Sequence, residues 1–345
     1  MIEKKEIDGY LNLFLLHDEN EDFSPRQWIR VSGSVYDLQL KSTIQVLIAN
    51  LMESLGAGRT HVYRRIAEEI RIITGHEPSF SSIHAWVKGT HLPPLVFLKC
   101  LLEFHAKILG RKNGRKMTYV LPLLKEMSSG YWGSRVLVKI PNTLTTDLAY
   151  FLGIITGDGS LPNVKDKKGD RIYEIKLEEA RPEFFERLYC PLILKLFGRQ
   201  ARLSKRMRQD GRVTWQAVIG AKPIFRLLTR LFDMPVGKKH DIVRMPTLIK
   251  NSNPRIWAFY IRGLFDTDGS ISSGRVTLYS GSRSLMEDIG NCFRRLAIDF
   301  DLYEYKGRGA AEFQLHVSRD STGKFIDLIG SNHPIKRERL MELAR

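Results

Sequence analysis

The chain has 345 residues, a formal net charge of +16 at pH 7 and 43% hydrophobic residues. This hydrophobic content is that of a globular protein with a proper core, and it excludes a disordered or fibrous chain. The excess of Lys and Arg over Asp and Glu predicts a polyanionic partner, with nucleic acid placed before an acidic membrane surface.

Cysteine usage and the N-terminal region indicate a compartment. Cys100, Cys190 and Cys292 lie far apart in the chain and show no zinc-ligand spacing. They are expected to be buried thiols in a reducing, cytoplasmic environment. The N-terminal region has no long apolar run, so we expect neither a signal peptide nor a membrane-spanning segment, and no membrane partner.

The first part of the chain predicts a helical domain over residues 41–127, whereas residues 1–40 are weakly patterned and receive no prediction. Apolar residues recur at helical spacing in 43–55 and again in 60–73. A tight turn and a short Ser-rich helix that ends at Gly89 resemble a helix-turn-helix DNA-binding unit. A plain helical bundle explains the same pattern equally well. If the unit binds DNA, the side chains expected to face it are Arg59, Arg64, Arg65, Ser82, His84 and Lys88.

Residues 128–141 predict a linker, because they contain Ser-Ser-Gly and end at Pro141. From residue 142 onward the chain repeats itself. An apolar helix stops at Asp158-Gly-Ser, and a second stops at Asp268-Gly-Ser, which is 268 − 158 = 110 residues later. In each copy the order is motif helix, two strands, helix, two strands, helix. This duplication predicts an α+β domain with pseudo-twofold symmetry, whose halves are residues 142–250 and 251–345.

The two motif helices are expected to pack against each other. Small residues recur four positions apart on each helix, at Gly153 and at Gly263 and again one turn later. Positions i and i+4 share a helix face, so each helix has a smooth strip that another backbone can approach. Packing of the two strips would bring Asp158 and Asp268 side by side at one end of the pair.

Two carboxylates at two helix C-termini form an electrostatically unfavourable arrangement. Each helix end carries about half a negative charge, and like charges in contact raise a pKa or recruit a cation. Hard oxygen ligands suit Mg²⁺, so Asp158 and Asp268 predict a site for Mg²⁺ or Mn²⁺. The next residues, Gly159 and Gly269, are expected to supply the left-handed turn that commonly ends a helix.

The predicted strands alternate polar and apolar residues, so each sheet is expected to turn an apolar face to its helices and a polar face outward. Between Arg199 and Arg212 there are six basic residues and one acidic residue. A β-ribbon fits the DNA major groove, and Arg with Gln and Thr suits phosphate and base-edge contacts. A solvated strand face is the alternative. The residues predicted to contact DNA are Arg171, Lys176, Arg202, Ser204, Lys205, Arg206, Arg208, Arg212, Thr214, Gln216, Arg275, Gln314, His316 and Lys336.

The motif helices resemble those of the LAGLIDADG homing endonuclease family. The first reads Phe151-Leu-Gly-Ile-Ile-Thr-Gly-Asp-Gly159 and the second Ile261-Arg-Gly-Leu-Phe-Asp-Thr-Asp-Gly269. The resemblance covers residues 142–345, and two motifs at this spacing are far more specific than one. It implies a monomeric pseudo-dimer of αββαββα halves, whose saddle-shaped sheets straddle double-stranded DNA, and a role in intron mobility.

The resemblance also implies site residues. Asp158 and Asp268 would hold the metal with the backbone carbonyls of Gly157 and Thr267, and both DNA strands would be hydrolysed. Where the second copy has Asp266 the first has Thr156, so helix-end packing rather than metal binding is expected for Asp266.

Family active sites usually add a Lys or Gln beside the metals, at the end of a strand. The matching stretches here, 176–179 and 278–281, give no obvious basic pair. Lys176 and Lys239 are therefore the candidate catalytic lysines, and His316 is a further substitute.

Three functions remain open at this point. The first is a sequence-specific homing endonuclease with an added N-terminal DNA-binding region. The second is a non-cleaving DNA-binding transcription regulator, and the third is an RNA-binding maturase. Retention of both Asp158 and Asp268 favours the endonuclease, because paired acids facing DNA phosphates are costly unless they hold a cation.

Overall fold

The computed structural model describes residues 4–18, 22, 25–33, 38–113, 120–131, 137–208, 210–305 and 312–343. The chain forms two compact units. The first consists of Met1–Thr143 with Lys222–Leu227, and the second of Leu144–Ala221 with Leu228–Arg345. Within the described ranges, every helix is too short or too polar to cross a membrane.

The first unit is mainly helical, as predicted for residues 41–127. Its helices are Leu13–Leu16 (3₁₀), Leu38–Leu55, Arg59–Thr74, Phe80–Lys88, Leu95–Asn113, Val120–Glu126 and Lys222–Arg226, and its strands are Glu6–Ile7, Tyr10–Leu11, Arg30–Gly33, Met127–Tyr131 and Leu137–Lys139. Apolar residues at helical spacing, such as Val62, Ile66 and Ile70, are fully buried. Trp86 is also buried, as expected for a core residue.

The predicted linker 128–141 is wrong in its described part. Met127–Tyr131 pairs with both Arg30–Gly33 and Leu137–Lys139 in a three-stranded antiparallel sheet. The apolar side chains of Met127 and Val138 are buried, which stabilises this sheet although the Ser and Gly content favours a turn.

A buried group of charges holds residues 222–227 in the first unit. Lys222 donates to the Asp22 carboxylate and, at 2.8 Å, to the Gln27 carbonyl, while Arg226 donates to the same carboxylate at 3.4 Å. Burial acts to raise the pKa of Asp22, but the His17 hydrogen bond and the two cations lower it overall. The helix Lys222–Arg226 therefore belongs to the first unit, because its cations compensate a buried acid. The chain continues as the π-helical turn Leu227–Leu231.

The second unit contains the predicted duplication. Its helices are Thr146–Gly157, Pro182–Phe184, Phe185–Tyr189 (π), Cys190–Phe197, Thr247–Lys250, Pro254–Asp268, Arg283–Arg295, Arg319–Ser321 (3₁₀), Thr322–Leu328 and Pro334–Leu343, and its strands are Gly159–Ser160, Val164–Lys165, Arg171–Ile172, Glu174–Glu179, Arg202–Met207, Val213–Gly220, Gly269–Ser272, Arg275–Ser280, Phe300–Tyr305 and Glu312–Val317. The predicted order of motif helix, two strands, helix and two strands is present in both repeats.

Two four-stranded antiparallel sheets repeat one topology. In each, the short strand after the motif helix pairs with the second strand, the second with the fourth, and the fourth with the third. The first sheet thus runs Gly159–Ser160, Glu174–Glu179, Val213–Gly220, Arg202–Met207. The second runs Gly269–Ser272, Arg275–Ser280, Glu312–Val317, Phe300–Tyr305. The α+β class and the pseudo-twofold arrangement predicted from the sequence are confirmed.

The motif helices Thr146–Gly157 and Pro254–Asp268 pack directly on each other through their glycines. A Cβ atom placed on Gly153 would lie 2.0 Å from the Tyr260 carbonyl oxygen, and one on Gly263 would lie 2.2 Å from the Tyr150 carbonyl oxygen. No side chain fits at either position, so glycine sets the distance between the two backbones.

Gly159 and Gly269 do not adopt the left-handed conformation predicted for them. Gly269 is extended, with φ −94° and ψ 157°, and each glycine instead starts a strand. A Cβ atom would lie 2.6 Å from the Ile155 Cα atom at the first position and 2.5 Å from the Phe265 carbonyl oxygen at the second. Glycine is needed because the chain folds back over the last turn of each helix.

Candidate metal and nucleic-acid site

A side-chain cap begins each motif helix. The Thr145 hydroxyl accepts a hydrogen bond from the Leu148 amide at 3.2 Å, and the Asn253 side chain accepts one from the Ile256 amide at 3.1 Å. These N-caps fix where each helix starts. Since the helices are aligned by their glycine strips, their last turns meet and bring the two motif aspartates together.

Asp158 and Asp268 lie in contact at the paired helix ends. A Cβ atom on Gly157 would lie 1.9 Å from the Thr267 hydroxyl and 3.3 Å from the Asp268 carboxyl carbon, so the two ends are closely packed. The two carboxyl groups lie within hydrogen-bonding reach, so a proton on one of them can be shared with the other. Asp158 is exposed and Asp268 half-buried, so the pair is accessible from solvent although it is crowded by the helix ends.

The electrostatics of the pair follow from this crowding. Limited hydration raises the pKa of Asp158, and the nearby Glu179 carboxylate raises it further. Limited hydration and the Asp158 charge raise the pKa of Asp268 to about 7. Two acids in contact cannot both ionise cheaply without a cation, so the pair retains a proton under conditions where a free Asp is ionised.

A lysine closes the end of each motif helix. The Lys239 ammonium donates to the last three carbonyls of the first helix, residues 155–157, at 2.7 Å for the first two. The Lys336 ammonium donates to the carbonyls of residues 265–267 at 2.9, 2.9 and 3.0 Å. Each ammonium thereby uses its three N–H donors and offsets the negative end of a helix dipole.

Both lysines are held in an environment that favours their neutral form. Burial lowers the pKa of Lys239 to about 8, although the Asp268 and Asp158 charges oppose this change. Burial also lowers the pKa of Lys336, against the opposing charges of Asp266 and Asp158. Both side chains are half-buried. Lys239 and Lys336 remain the main positively charged groups close to the aspartate pair.

The structure gives different environments to the residues that were predicted to be catalytic or to bind metal. It brings Lys239 to the aspartates as predicted, whereas Lys176 forms an ion pair with Glu174 at 3.0 Å, and the cations that lower the pKa values of the aspartates are Lys239 and Lys336. The Gly157 and Thr267 carbonyls, predicted as metal ligands, each accept a lysine hydrogen bond. A carbonyl oxygen has a second lone pair, so this bond leaves one acceptor direction open.

The position of Lys336 beside the aspartates was not predicted, because the sequence indicated only a DNA contact for this lysine. The internal repeat indicates that Lys336 is equivalent to Lys239. Lys239 and Lys336 both lie in the segment that follows the last helix of a repeat, and each follows its own motif aspartate by less than one repeat length. A comparison of these two segments, rather than of the strand ends, identifies the pair.

The residues at the helix ends fit a divalent cation. In the described part of the chain no group of three or more His, Cys, Asp and Glu side chains is arranged for metal binding. The donor set is instead two neighbouring carboxylates with raised pKa values, of which Asp158 is exposed and Asp268 is half-buried. Mg²⁺ commonly takes one or two carboxylates and completes its shell with water and substrate phosphates.

Asp266 takes the packing role expected for it. It is 1% exposed and accepts hydrogen bonds from the Tyr150 hydroxyl at 2.5 Å, the Asn332 amide at 3.0 Å and the Ser331 hydroxyl. Burial raises its pKa, and the Ser331 and Tyr150 hydrogen bonds oppose that effect. At the matching position of the first helix, Thr156 accepts from the Tyr260 hydroxyl at 2.9 Å.

The polar face of the first sheet matches the prediction at its edge strand. Arg202, Ser204 and Arg206 are exposed on one face of Arg202–Met207. On the neighbouring central strand Thr214 and Gln216 are each only 7% exposed, which corrects the prediction of outward-facing contacts. Cross-strand neighbours cover them, and the Thr214 hydroxyl donates to Glu178 at 2.6 Å.

The apolar face of the same sheet extends beyond its helices. Met207 is 78% exposed and Val213 39% exposed, although alternation placed both towards the helices. The two strands pair Met207 with Val213 at their free end, where no helix covers them. Lys205 is also exposed on this face.

Several predicted DNA-contacting cations have local partners. Arg208 pairs with Glu178 at 3.0 Å and Arg212 with Asp210 at 2.5 Å, and both arginines are at least half exposed. The Arg171 guanidinium donates to the Asn163 side chain at 3.0 Å. Such exposed pairs contribute little to stability, so the arginines remain available to a phosphate.

The second sheet presents a different polar face. Arg275 is exposed, whereas Gln314 and His316 are half-buried and bonded to each other at 3.1 Å. Tyr303 and Tyr305 are 45% and 48% exposed on the edge strand. These tyrosines were not predicted, although period-two alternation over Phe300–Tyr305 places them on one face.

The residues of the first unit that were considered for DNA contact are mostly accessible. Arg59, Arg64, Arg65 and Lys88 are exposed. Ser82 and His84 are half-buried on Phe80–Lys88. This helix begins at Ser79, whose hydroxyl accepts from the Ser82 amide at 3.2 Å, and ends at Gly89 with φ +76°.

Comparison with known proteins identifies the second repeat. Residues 258–330 match the family model described as LAGLIDADG-like domain. The homing endonuclease I-DmoI of Desulfurococcus mucosus is 21% identical over 193 residues, which cover 55% of this chain and 92% of that protein. The solved structure of I-DmoI in complex with DNA and Ca aligns with a TM-score of 0.46 and 18% identity, covering 57% of this chain and 97% of that one.

Other relatives share only a segment with this chain. A probable translation initiation factor IF-2 of Methanocaldococcus jannaschii is 24% identical over 216 residues, which cover 60% of this chain and 17% of that protein. Elongation factor 2 of Methanopyrus kandleri is 27% identical over 200 residues, which cover 57% of this chain and 14% of that protein. This chain therefore spans less than a fifth of the length of either factor, and the shared segment transfers neither function.

Proposed function

We propose that this chain is a protein of LAGLIDADG homing endonuclease type that cuts double-stranded DNA, which the LAGLIDADG-like domain in its second repeat and the matching motif in its first support. The proposed reaction is hydrolysis of one phosphodiester bond on each strand with a divalent metal, Mg²⁺ in the first place. The observation that carries the proposal is the pair of touching carboxylates, Asp158 and Asp268, with a lysine at each helix end.

In this proposal each group at the helix ends has a defined role. Asp158 and Asp268 hold the metal, which when bound neutralises phosphate charge and lowers the pKa of water towards neutrality. Lys239 and Lys336 place a positive charge beside the scissile phosphates. Because the pKa of Lys239 is about 8, its ammonium is mostly protonated at neutral pH and can stabilise charge that develops on a phosphate oxygen.

The sheets would position the duplex over these groups. The exposed arginines of Arg202–Met207 suit phosphate contacts, which fix register and supply most of the non-specific affinity. Sequence would be read by the polar side chains between them and by those of the second sheet. One copy of the chain carries both repeats, so a monomer suffices for a two-strand cut.

The cutting activity can be tested on a pool of sequences that does not presuppose the target. The protein is incubated with a random DNA library and Mg²⁺, and the new ends are sequenced. We expect paired ends at one long sequence, and no ends with the Asp158→Asn/Asp268→Asn variant. Enrichment of DNA without any cut would instead support the transcription regulator, and preferential retention of structured RNA from a mixed pool would support the maturase.

We further propose that the first unit binds DNA through Phe80–Lys88, in the manner of a helix-turn-helix. The exposed cations Arg64 and Lys88 support this, because a basic surface on short helices suits phosphate contacts. Arg64→Glu and Lys88→Glu should each shorten the footprint of the full chain at one end. The matched control Lys107→Glu changes a lysine that pairs with Glu69 on another helix and should leave the footprint intact. Footprints of equal length for all three variants would contradict DNA binding by this unit.

A further inference from the structure

We propose that Asp266 is a positioning residue that anchors the segment 331–336, and with it Lys336, so that the two halves of the site are held by different means. Loss of its carboxylate would then impair the cutting of one DNA strand more than the other. The strand-bias part of this proposal rests on the proposed endonuclease function, whereas the anchoring part does not.

The two repeats share one pair of hydrogen bonds between the motif helices. Tyr150 and Tyr260 are 110 residues apart, as are Thr156 and Asp266. Each tyrosine hydroxyl donates to the polar residue of the opposite motif helix, at 2.5 Å to Asp266 and at 2.9 Å to Thr156. This pair of bonds links the helices in both directions, and it needs only one acceptor oxygen on each side.

The repeats differ in the further hydrogen bonds that Asp266 and Thr156 form. The Oδ1 atom of Asp266 accepts from the Ser331 hydroxyl, and Oδ2 accepts from the Asn332 amide at 3.0 Å. The Thr156 hydroxyl donates within its own helix to the Leu152 carbonyl at 2.8 Å and meets the Met234 sulfur at 3.9 Å. Thr156 therefore contacts the segment that leads to Lys239 only through this weak bond to sulfur, whereas Asp266 holds its segment with two carboxylate hydrogen bonds.

The anchored residues lead directly to the lysine. Asn332 precedes Lys336 by four residues, and Pro334 begins the helix Pro334–Leu343, so Lys336 lies in the first turn of that helix. The Arg262 side chain adds a bond to the Ile329 carbonyl just before the segment. Since a carboxylate fixes the start of this helix, it also fixes the position from which the ammonium reaches the carbonyls of residues 265–267.

The segment around the first-repeat lysine is held by other partners: the Gly237 amide donates to the Leu161 carbonyl at 2.8 Å before Lys239, and further bonds follow it. The Val243 carbonyl accepts from the Ser282 hydroxyl, 2.6 Å away, and the Met245 amide donates to Asp288 at 3.3 Å. Both partners belong to the second repeat, and neither involves Thr156. A change at residue 266 should therefore move Lys336 and leave Lys239 in place.

Asp266→Asn tests the anchoring with the smallest change in side-chain shape. An amide has the shape of the carboxylate but presents one acceptor oxygen, so it cannot accept from both Ser331 and the Tyr150–Asn332 side. Ser331→Ala removes only the bond to the segment. Tyr260→Phe removes the cross-helix bond to Thr156 and is the matched control for any loosening of the helix pair.

The anchoring is tested by limited acetylation of the metal-free, DNA-free protein, followed by peptide mass spectrometry. Lys336 should be acetylated several-fold faster in Asp266→Asn and in Ser331→Ala than in the wild type, with Lys239 unchanged. Tyr260→Phe should leave the Lys336 rate unchanged. Equal acceleration of both lysines in Asp266→Asn, or no acceleration of Lys336, would overturn the proposal.

The strand bias is tested on a target duplex with a different label on each strand. In Asp266→Asn, one strand should be cut about 10- to 100-fold more slowly than the other, so that a nicked duplex accumulates. Equal slowing of both strands would reject the asymmetry. If the wild type cuts no DNA, the proposed function and the strand bias fail together, and the acetylation result alone decides whether Asp266 anchors the lysine.

Discussion

At the scale of single residues, the site is governed by charges that are placed at unfavourable positions and compensated locally. Two helix ends meet with an acid at each, which costs free energy unless protons or cations are present. The lysines compensate the helix dipoles, and the remaining carboxylate pair has raised pKa values. In the absence of a cation, this arrangement is expected to destabilise the fold, and that effect can be measured.

Asp268→Asn should stabilise the metal-free protein at pH 8. The pKa of Asp268 in the fold, about 7, lies above that of an unfolded Asp. The stability that its neutral form contributes is full below about pH 4 and lost as the pH rises through 7. The amide avoids this loss, so the variant should gain about 1–2 kcal/mol at pH 8 and much less at pH 5. Chemical unfolding at both pH values measures it, with Asp241→Asn, an exposed acid, as control. An equal effect at both pH values would contradict the raised pKa.

Lys239→Arg should not replace the lysine. Three carbonyls converge on one ammonium at the end of the first motif helix, and a planar guanidinium cannot donate to them from one point. We expect cutting to fall about 100-fold with DNA affinity nearly unchanged. Band-shift and single-turnover rates measure the two effects. An arginine variant that cuts at the wild-type rate would show that charge alone suffices.

At the scale of elements, the motif helices illustrate how a small residue sets a functional distance. Gly153 and Gly263 allow backbone contact, and this contact brings the carboxylates together. The sheets differ from each other more than the helices do. The edge strand Arg202–Met207 is rich in arginine, and the equivalent Phe300–Tyr305 carries exposed tyrosines. The two repeats are thus expected to bind DNA with different chemistry.

Gly153→Ala should destabilise the second unit by about 3 kcal/mol or more, because the new methyl group meets the Tyr260 carbonyl and not a movable side chain. The control is Gly323→Ala, on the helix Thr322–Leu328, where nothing lies within 4 Å of the added atom. That change should stabilise by about 0.5–1 kcal/mol, since Ala favours a helix interior. Urea denaturation measures the free energy of unfolding of both variants. Similar free energies for Gly153→Ala and Gly323→Ala would contradict the close contact between the motif helices.

Removal of Arg202 and Arg206 should lower the salt dependence of DNA binding. Each phosphate contact contributes about 0.9 to the slope of log K against log salt, so Arg202→Ala/Arg206→Ala should reduce the slope by about 2. Tyr303→Ala should weaken binding without changing the slope, because a neutral ring releases no counterion. Affinities at several salt concentrations test this. A slope that falls equally in both variants would contradict the difference between the sheets.

At the scale of the whole molecule, the repeat was the most predictive feature of the sequence. Period, strand alternation and the Asp-Gly-Ser ends located both sheets and the contact of Asp158 with Asp268, because these depend on local patterns. Lys336 was not assigned to the site, because its role depends on a tertiary contact with residues about 70 positions earlier. The conformation of Gly269 was mispredicted since a following strand, rather than a helix cap, decides it. The burial of Thr214 depends on its neighbours in the sheet, which alternation does not reveal.

The central claim is that the two motif aspartates form one divalent-cation site. Calorimetric titration of Mg²⁺ into the full chain tests it most directly. We predict a saturable binding heat in the wild type and its loss in Asp158→Asn/Asp268→Asn, while Asp241→Asn binds as the wild type does. Unchanged Mg²⁺ binding by the double variant would contradict the claim.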